Sequence, residues 1–365
     1  MDAPATLDPE VCYRAMLTRD ARFDGRFFTC VKTTGIYCRP ICPARTPRFE
    51  NVRFAETAAA AEELGFRACL RCRPETAPDM GAWRGSSNTV SRGLALIEAG
   101  ALDDGDVETL AARLGVGGRH LRRLFRQHLG AAPVSVAQTR RVLLAKSLIH
   151  DSGLGMAEIA LAAGFGSVRR FNETFQALYG RPPSALRRRT TVAPGGEVGG
   201  VKLSLPFREP YDRTQALADL QAAGEDVRGG LWRRDLAMEE GAQGWVQAGF
   251  ATGRLDVRAE VSDLRVLPRL LARVRRLFDL SADPEAIGRD LSADPALAPL
   301  VAARPGLRVV GAWGVDPAGL DAAVTGRCAE AWRPWQAYAL RHLELAGIDP
   351  CVLPNLEPVH ADRAA

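Results

Sequence analysis

The chain has 365 residues, 47% of them hydrophobic and 25% charged, with 48 Lys/Arg against 43 Asp/Glu and eight cysteines. Such a length suggests about two or three domains with ample core material. Residues 1–10, MDAPATLDPE, lack a basic region followed by an apolar run, and no apolar stretch approaches the roughly 18 residues that span a bilayer, so neither a secretory signal nor a membrane span is expected. The expected location is the cytoplasm, where cysteines serve as metal ligands, nucleophiles or core residues rather than disulfides. Charge is uneven: +1 over residues 1–80, +8 over 81–190 and −4 over 191–365. Nucleic acid is the natural partner of the basic middle. Pro/Gly/Ser-rich stretches at 77–88 and 191–200 read as linkers.

The first segment opens with helical patterning in DPEVCYRAMLTRD (8–20) and then alternates through RFFTCVKTTGIYC (26–38), a strand leading to the first cysteine pair. Cys38 and Cys42 form C-x3-C, and Cys69 and Cys72 form C-x2-C after 26 intervening residues. This spacing suits a tetrahedral four-thiolate zinc site, each pair spanning two vertices at zinc–sulfur distances of about 2.3 Å. On spacing alone the site reads as a closed structural clip. Cys12 and Cys30 lie outside the pattern, and Cys30 alternates with Phe28 on a strand, so both are expected as buried core thiols.

The sequence around the pairs, TTGIYCRPICPAR (33–45) and ENVRFAETAAAAEELGFRACLRCRPE (50–75), resembles the amino-terminal domain of Ada-type adaptive-response proteins over about residues 10–75. The resemblance implies that Cys38 takes a methyl group irreversibly from a DNA methylphosphotriester. Cys42, Cys69 and Cys72 would complete the site for one zinc ion. The chemistry is sound, because zinc keeps a thiol ionised without a general base. Four thiolates on one zinc leave a double negative charge, which approaches a neutral phosphotriester more easily than an ionised phosphate. Arg39, Arg45, Arg67 and Arg71 are candidates for the flanking phosphates, or else solvated surface. Methylation removes one negative charge, worth about 2 kcal/mol at about 7 Å from a phosphate. The expected result is about tenfold or more in DNA affinity.

In the middle segment, residues 108–133 and 157–183 are an internal repeat. Leu110-Ala111 matches Ile159-Ala160, Gly115 matches Gly164, Phe125 matches Phe175, and Gly130 and Pro133 match Gly180 and Pro183. Each copy reads as helix, glycine-containing turn, helix, and Ser167 is placed to cap the second helix of its copy. The pairing resembles the AraC-type double helix-turn-helix over about residues 88–190, with its signature in IALAAGFGSVRRFNETFQALYGRPPSALR. The resemblance implies two recognition helices in successive major-groove segments. Arg119, Arg122, Arg123 and Arg126 would face DNA from the first copy, and Arg169, Arg170, Asn172 and Gln176 from the second, reading bases or touching phosphates.

The last segment has a strand running to a turn over VKLSLPFREPYD (201–212), strand patterns at 230–238, 244–252 and 254–261, and helical patterns at 213–224 and 263–280, the latter interrupted by Pro268. It resembles the amino-terminal domain of AlkA-type DNA glycosylases, as do ARPGLRVVGAW (303–313) and AEAWRPWQAYALRHLELA (329–346). The family's catalytic domain carries a helix-hairpin-helix, L-P-G-I-G-x-W-T-A, followed by an aspartate. Here GAWGVDPAGLDAAVTGRCAEAW (311–332) holds no such motif, and neither Asp316 nor Asp321 has a hairpin to hold DNA against it. An internal deletion is inferred, so base excision is not expected, and Trp332 and Trp335 are expected to be exposed. Cys328 and Cys351 have no metal spacing, and the Pro-Cys-His-Arg motif of O6-alkylguanine methyl acceptors is absent.

The expected fold is α+β multidomain: a small zinc-bound α/β domain (1–80), an all-α double helix-turn-helix domain (87–190), an α+β AlkA-like domain (201–280) and a helical remnant (281–365). The function implied is single-turnover methyl transfer from DNA methylphosphotriesters, coupled to transcriptional activation of alkylation-response genes. The partners are double-stranded DNA, as lesion and as promoter operator, and RNA polymerase; no membrane is involved, and the protein is a monomer. The alternatives are a zinc-containing regulator without methyl transfer and a 3-methyladenine glycosylase.

Overall fold

A computed structural model describes residues 7–78, 88–187, 200–237, 242–311, 313, 332 and 335–349. The chain divides into two compact units: residues 1–206 with 233–272, and residues 207–232 with 273–365. None of the described helices is long and apolar enough to cross a membrane. Asp316, Asp321, Cys328 and Cys351 lie outside the described residues.

The first unit begins with α1 (Pro9–Thr18), where the Asp8 carboxylate accepts from the N–H groups of Glu10 and Val11 and Pro9 occupies the first turn. Strands β1 (Phe28–Val31), β2 (Ile36–Cys38), β3 (Val52–Ala55) and β4 (Arg67–Ala68) form a sheet in the order β3-β1-β2-β4. β1 and β2 are antiparallel, with Thr29 opposite Cys38, while β2 and β4 are parallel, with Tyr37 opposite Ala68. Helix α2 (Ala58–Glu63) supplies the crossover to β4 and packs Ala60 and Ala61 against Phe28, Cys30, Tyr37 and Phe66. A second apolar cluster joins Cys12 and Ala15 of α1 to Phe27. Cys12 and Cys30 are buried, and burial pushes the Cys12 thiol up to about 11 and the Cys30 thiol up to about 12.

Six helices follow: α3 (Asn88–Glu98), α4 (Val107–Arg113), α5 (Gly118–Leu129), α6 (Pro133–Asp151), α7 (Met156–Ala162) and α8 (Val168–Tyr179). The repeat maps onto α4–α5 and α7–α8, and the 19-residue α6 joins the copies. Phe125 and Phe175, matched in sequence, are both fully buried. Asp106 caps α4 through the Thr109 N–H at 2.7 Å, and Ser167 caps α8 through the Arg170 N–H at 3.2 Å. Both recognition helices end on a glycine at φ 66°, Gly130 and Gly180, a left-handed turn that a side chain would strain.

The remainder of the first unit holds β5 (Val201–Pro206), β8 (Gly244–Ala251), β9 (Arg254–Val261) and, from Arg233 on, β7 (Leu231–Leu236), in the order β5-β9-β8-β7. Leu203 pairs with Val257 and Val246 with Ala259, so alternate residues bury one face. Pro268 does not break the next helix, because α10 (Leu267–Leu277) begins beside it, where its missing N–H costs nothing.

In the second unit, α9 (Arg213–Ala222) and β6 (Asp226–Arg228) precede α11 (Pro284–Leu291), α12 (Ala298–Ala303) and α13 (Gln336–Leu345). Here the structure corrects the sequence reading of the tryptophans. Trp332 and Trp335 are 7% and 3% exposed. They pack with Ile287 and Leu291 of α11, Leu297, Val301 of α12, and Tyr338 and Leu343 of α13. Their indole N–H groups donate to Asp294 at 2.7 Å and to Asp290 at 2.9 Å. Helices α11 and α12 thus supply the wall that the missing hairpin was expected to leave open.

Asp279 is half-buried in this unit at φ 48°, its carboxylate accepting from the Tyr338 hydroxyl at 2.6 Å and the Val309 N–H at 3.3 Å. Burial raises its pKa to about 6, against the pull of Arg308. A carboxyl raised in the folded state binds its proton more tightly than in the unfolded chain, so its contribution to stability falls as pH rises toward and through about 6. His342, lowered to about 4 by burial, works in the opposite sense over the same range. The Asp279→Asn variant is therefore expected to gain stability over the parent between pH 5 and pH 7.5, by about 1–3 kcal/mol. Amide exchange in α13 across that range measures the difference; a pH-independent difference would contradict it.

A four-cysteine candidate metal centre and two candidate recognition helices

Cys38 ends β2, and a turn closed by the Cys42 N–H on the Arg39 carbonyl at 3.1 Å returns Cys42 to the same place. The parallel pairing of β4 with β2 delivers the second pair, with the Cys69 N–H bonded to the Tyr37 carbonyl at 3.0 Å. The four sulfurs lie within 4.8 Å of one another. A tetrahedron with zinc–sulfur bonds of about 2.3 Å needs sulfurs about 3.8 Å apart, so the donor set fits zinc after a small contraction. An all-sulfur set also selects a soft or borderline cation over magnesium or calcium.

The sulfurs are not equivalent. Cys72 accepts from the Arg39 N–H at 3.4 Å and Cys69 from the Arg71 N–H at 3.3 Å. Among the described residues no such backbone N–H bond reaches Cys38 or Cys42, although the Ala44 backbone helps to lower the Cys42 thiol. Left to themselves the sulfurs compete for protons. Hydrogen bonding with Cys42, then with Cys69 and Cys72, pushes the Cys38 thiol up, and the same contact with Cys38 draws Cys42 down to about 7. A bound cation ends this competition by taking four thiolates. Cys38 and Cys42 are partly accessible, whereas Cys69 and Cys72 are buried.

The expectation for Arg39 needs correction. Its guanidinium donates to Asp24 at 2.8 Å through Nε and again through Nη2, to the Thr76 hydroxyl at 2.7 Å and to the Cys72 carbonyl at 3.4 Å. Arg39 is therefore held inside the domain, tying one cysteine pair to the other, rather than free for a phosphate. Arg45 and Arg71 are exposed, and Arg67 is half-buried with its guanidinium 5.8 Å from the Tyr179 ring centre.

On α5, Arg119, Arg123 and Arg126 are exposed opposite the buried Leu121 and Phe125, and Arg122 is half-buried and bonded to Glu108 at 2.8 Å. On α8, Arg169, Arg170, Asn172 and Gln176 are exposed opposite Phe171 and Phe175, with Arg169 bonded to Glu173 at 2.8 Å. The structure thus gathers the residues of each recognition helix on one open face. Asp24 and Thr76 were not singled out in the sequence, since nothing local marks a pairing with Arg39.

Three family profiles match in chain order: the metal binding domain of Ada over residues 11–75, a helix-turn-helix domain over 110–189 and the AlkA N-terminal domain over 202–314. The chain carries an Ada-type zinc-binding domain, a helix-turn-helix domain and an AlkA amino-terminal domain. All four clustered cysteines fall within the first match. A curated relative from Mycobacterium tuberculosis (strain CDC 1551 / Oshkosh), called a probable bifunctional transcriptional activator/DNA repair enzyme AlkA, is 42% identical over 83% of this chain. The chain spans 62% of that relative's length. The bifunctional transcriptional activator/DNA repair enzyme Ada of Escherichia coli (strain K12) is 36% identical over 42% of each chain. A crystal structure of a methylated N-ADA/DNA complex is 32% identical over 37% of this chain and 99% of its own, with a TM-score of 0.19.

Residues that orient metal ligands typically tune metal affinity. Asp24→Ala, which releases Arg39, is expected to weaken zinc retention by about tenfold without unfolding the chain. Competition with a chromophoric chelator measures this, and unchanged retention would show that Arg39 does not organise the centre.

Proposed function

We propose that this chain removes methyl groups from DNA methylphosphotriesters onto Cys38, once per molecule, and then acts as a methylation-activated transcriptional regulator of alkylation-response genes. The observation that carries the reading is the asymmetry of the cluster: Cys38 is partly accessible and accepts no backbone N–H among the described residues, whereas Cys69 and Cys72 are buried and each accept one. A hydrogen bond to a thiolate stabilises its charge and lowers its nucleophilicity. Cys69 and Cys72 are so restrained, and Cys38 is not.

In the transfer, the Cys38 sulfur attacks the methyl carbon. The S–C bond forms as the C–O bond breaks, and its electron pair stays on the phosphate oxygen, leaving an ordinary ionised diester. Zinc, when bound, keeps the sulfurs ionised at neutral pH. Arg39 holds Cys72 against Cys38, while exposed Arg45 and Arg71 and half-buried Arg67 suit phosphates flanking the lesion. The product cluster has one negative charge fewer, so the phosphate backbone is repelled less. Tighter binding of the operator by α5 and α8 then follows.

The domain limits given above are the working organisation, with a monomer in the cytoplasm acting on double-stranded DNA and RNA polymerase. Base excision forms no part of the function, because residues 311–332 contain no hairpin glycine motif.

The test is peptide mass spectrometry after mixing the zinc-loaded chain with DNA bearing methylphosphotriesters. One added methyl per chain, on the peptide containing Cys38 and absent from Cys38→Ser, is the expected result. A folded, zinc-bound chain that binds DNA but stays unmodified would reduce the centre to a structural clip. Release of free 3-methyladenine from alkylated DNA would contradict the exclusion of base excision.

A further inference from the structure

Where the zinc-binding fold meets the helix-turn-helix repeat, the first unit buries polar groups that neither metal binding nor base reading uses. Helix α2 sits on the turn after recognition helix α5. The Thr57 hydroxyl donates to the carbonyl of Leu129, the last residue of α5, at 2.8 Å. The Glu63 carboxylate accepts from the Ala132 N–H at 2.8 Å, at the start of α6, and from the Ser135 hydroxyl. Helix ends leave such groups open, and here another domain closes them. The approach is close, since a Cβ on Gly130 would meet the Ala60 Cβ at 3.0 Å, whereas at the matched Gly180 nothing lies within 4 Å.

Behind this contact lies a buried polar junction. Tyr37, the residue before Cys38, donates to Glu62 at 3.0 Å, and Thr139 of α6 donates to the other oxygen of that carboxylate at 2.7 Å. Glu75, three residues after Cys72, pairs with Lys146 of α6 at 2.6 Å, with side chains 1% and 0% exposed. Arg73, adjacent to Cys72, pairs with Asp151 at 2.8 Å. The second recognition helix reaches the same place from its last residue. The Tyr179 ring centre lies 5.8 Å from the Arg67 guanidinium and 5.9 Å from the Lys146 ammonium. The Tyr179 hydroxyl is buried with no hydrogen-bond partner among the described residues. The ends of α5 and α8 are thus joined to residues next to the metal-binding cysteines. Buried ion pairs of this kind add little net stability, but they tolerate few alternative geometries.

We propose that Glu62, Glu75 and Lys146, with Thr57 and Glu63, are positioning residues that hold both recognition helices in register with the Cys38 centre. The condition of the centre is thereby transmitted to the helices. When the centre loses its metal, Tyr37 and Arg73 move with the released cysteines, α2 lifts, and the ends of α5 and α8 open. The proposal rests on the function above only for what α5 and α8 read; the coupling itself is testable without DNA.

The experiment is hydrogen–deuterium exchange of the full chain, zinc-loaded and then stripped with a chelator. Stripping is expected to accelerate exchange about tenfold or more in residues 126–135 and 176–180, with α7 changed by less than about twofold. A paired variant, Glu75→Leu with Lys146→Met, removes both charges and leaves no single buried ion. Zinc-loaded, it should exchange faster than the parent in those two segments while retaining its metal. Unchanged exchange at 126–135 in the stripped parent would overturn the proposal, and so would uniform acceleration from α3 to α8. A chain that passes this test yet takes no methyl from a phosphotriester would reject the proposed function and leave the coupling standing. One that takes the methyl but fails the exchange test would do the reverse.

Discussion

Four sulfurs brought within 4.8 Å of one another cannot all carry charge without a cation among them. This constraint governs the amino-terminal fold. Its sheet is small, and its strands serve largely to deliver two cysteine pairs to one point: β2 carries the first, and β4, laid parallel to β2, carries the second. The same crowding creates the chemical distinction. Backbone N–H groups reach Cys69 and Cys72, which are buried, and leave Cys38 and Cys42 partly accessible. In the proposed function Cys38 is the reagent and the other three are its holders.

In the proposed function, the charge that makes the centre nucleophilic also sets its relation to DNA: a negatively charged cluster is repelled by ionised phosphates more than by a neutral triester. The exposed basic residues on α5 and α8 would supply the opposing attraction. The tryptophans of the second unit are enclosed by α11 and α12, which gives the carboxy-terminal region an ordinary packed core.

Much of this was legible in the sequence. The cysteine spacing fixed the ligand set, the Gly and Phe matches of the repeat located both recognition helices, and Ser167 marked a cap that the structure contains. The failures share one physical cause, which is pairing between residues far apart in the chain. Arg39 looked like a phosphate ligand because its partner Asp24 lies on a different loop. Lys146 was not singled out, although it falls four residues after Val142 and three before Ile149, on the buried stripe of α6, where a distant carboxylate pairs with it. Trp332 and Trp335 read as exposed because the segment expected to cover them is missing, and local pattern does not reveal that α11 and α12 replace it.

The central claim is that Cys38 is the reagent of the cluster and the other three cysteines are its holders. Limited treatment of the zinc-loaded chain with a small methylating agent, followed by peptide mapping, tests it most directly, because Cys38 and Cys42 are both partly accessible. The account predicts that the first methyl group lies on Cys38. Methylation that begins at Cys42, or that divides equally between the two, would contradict it.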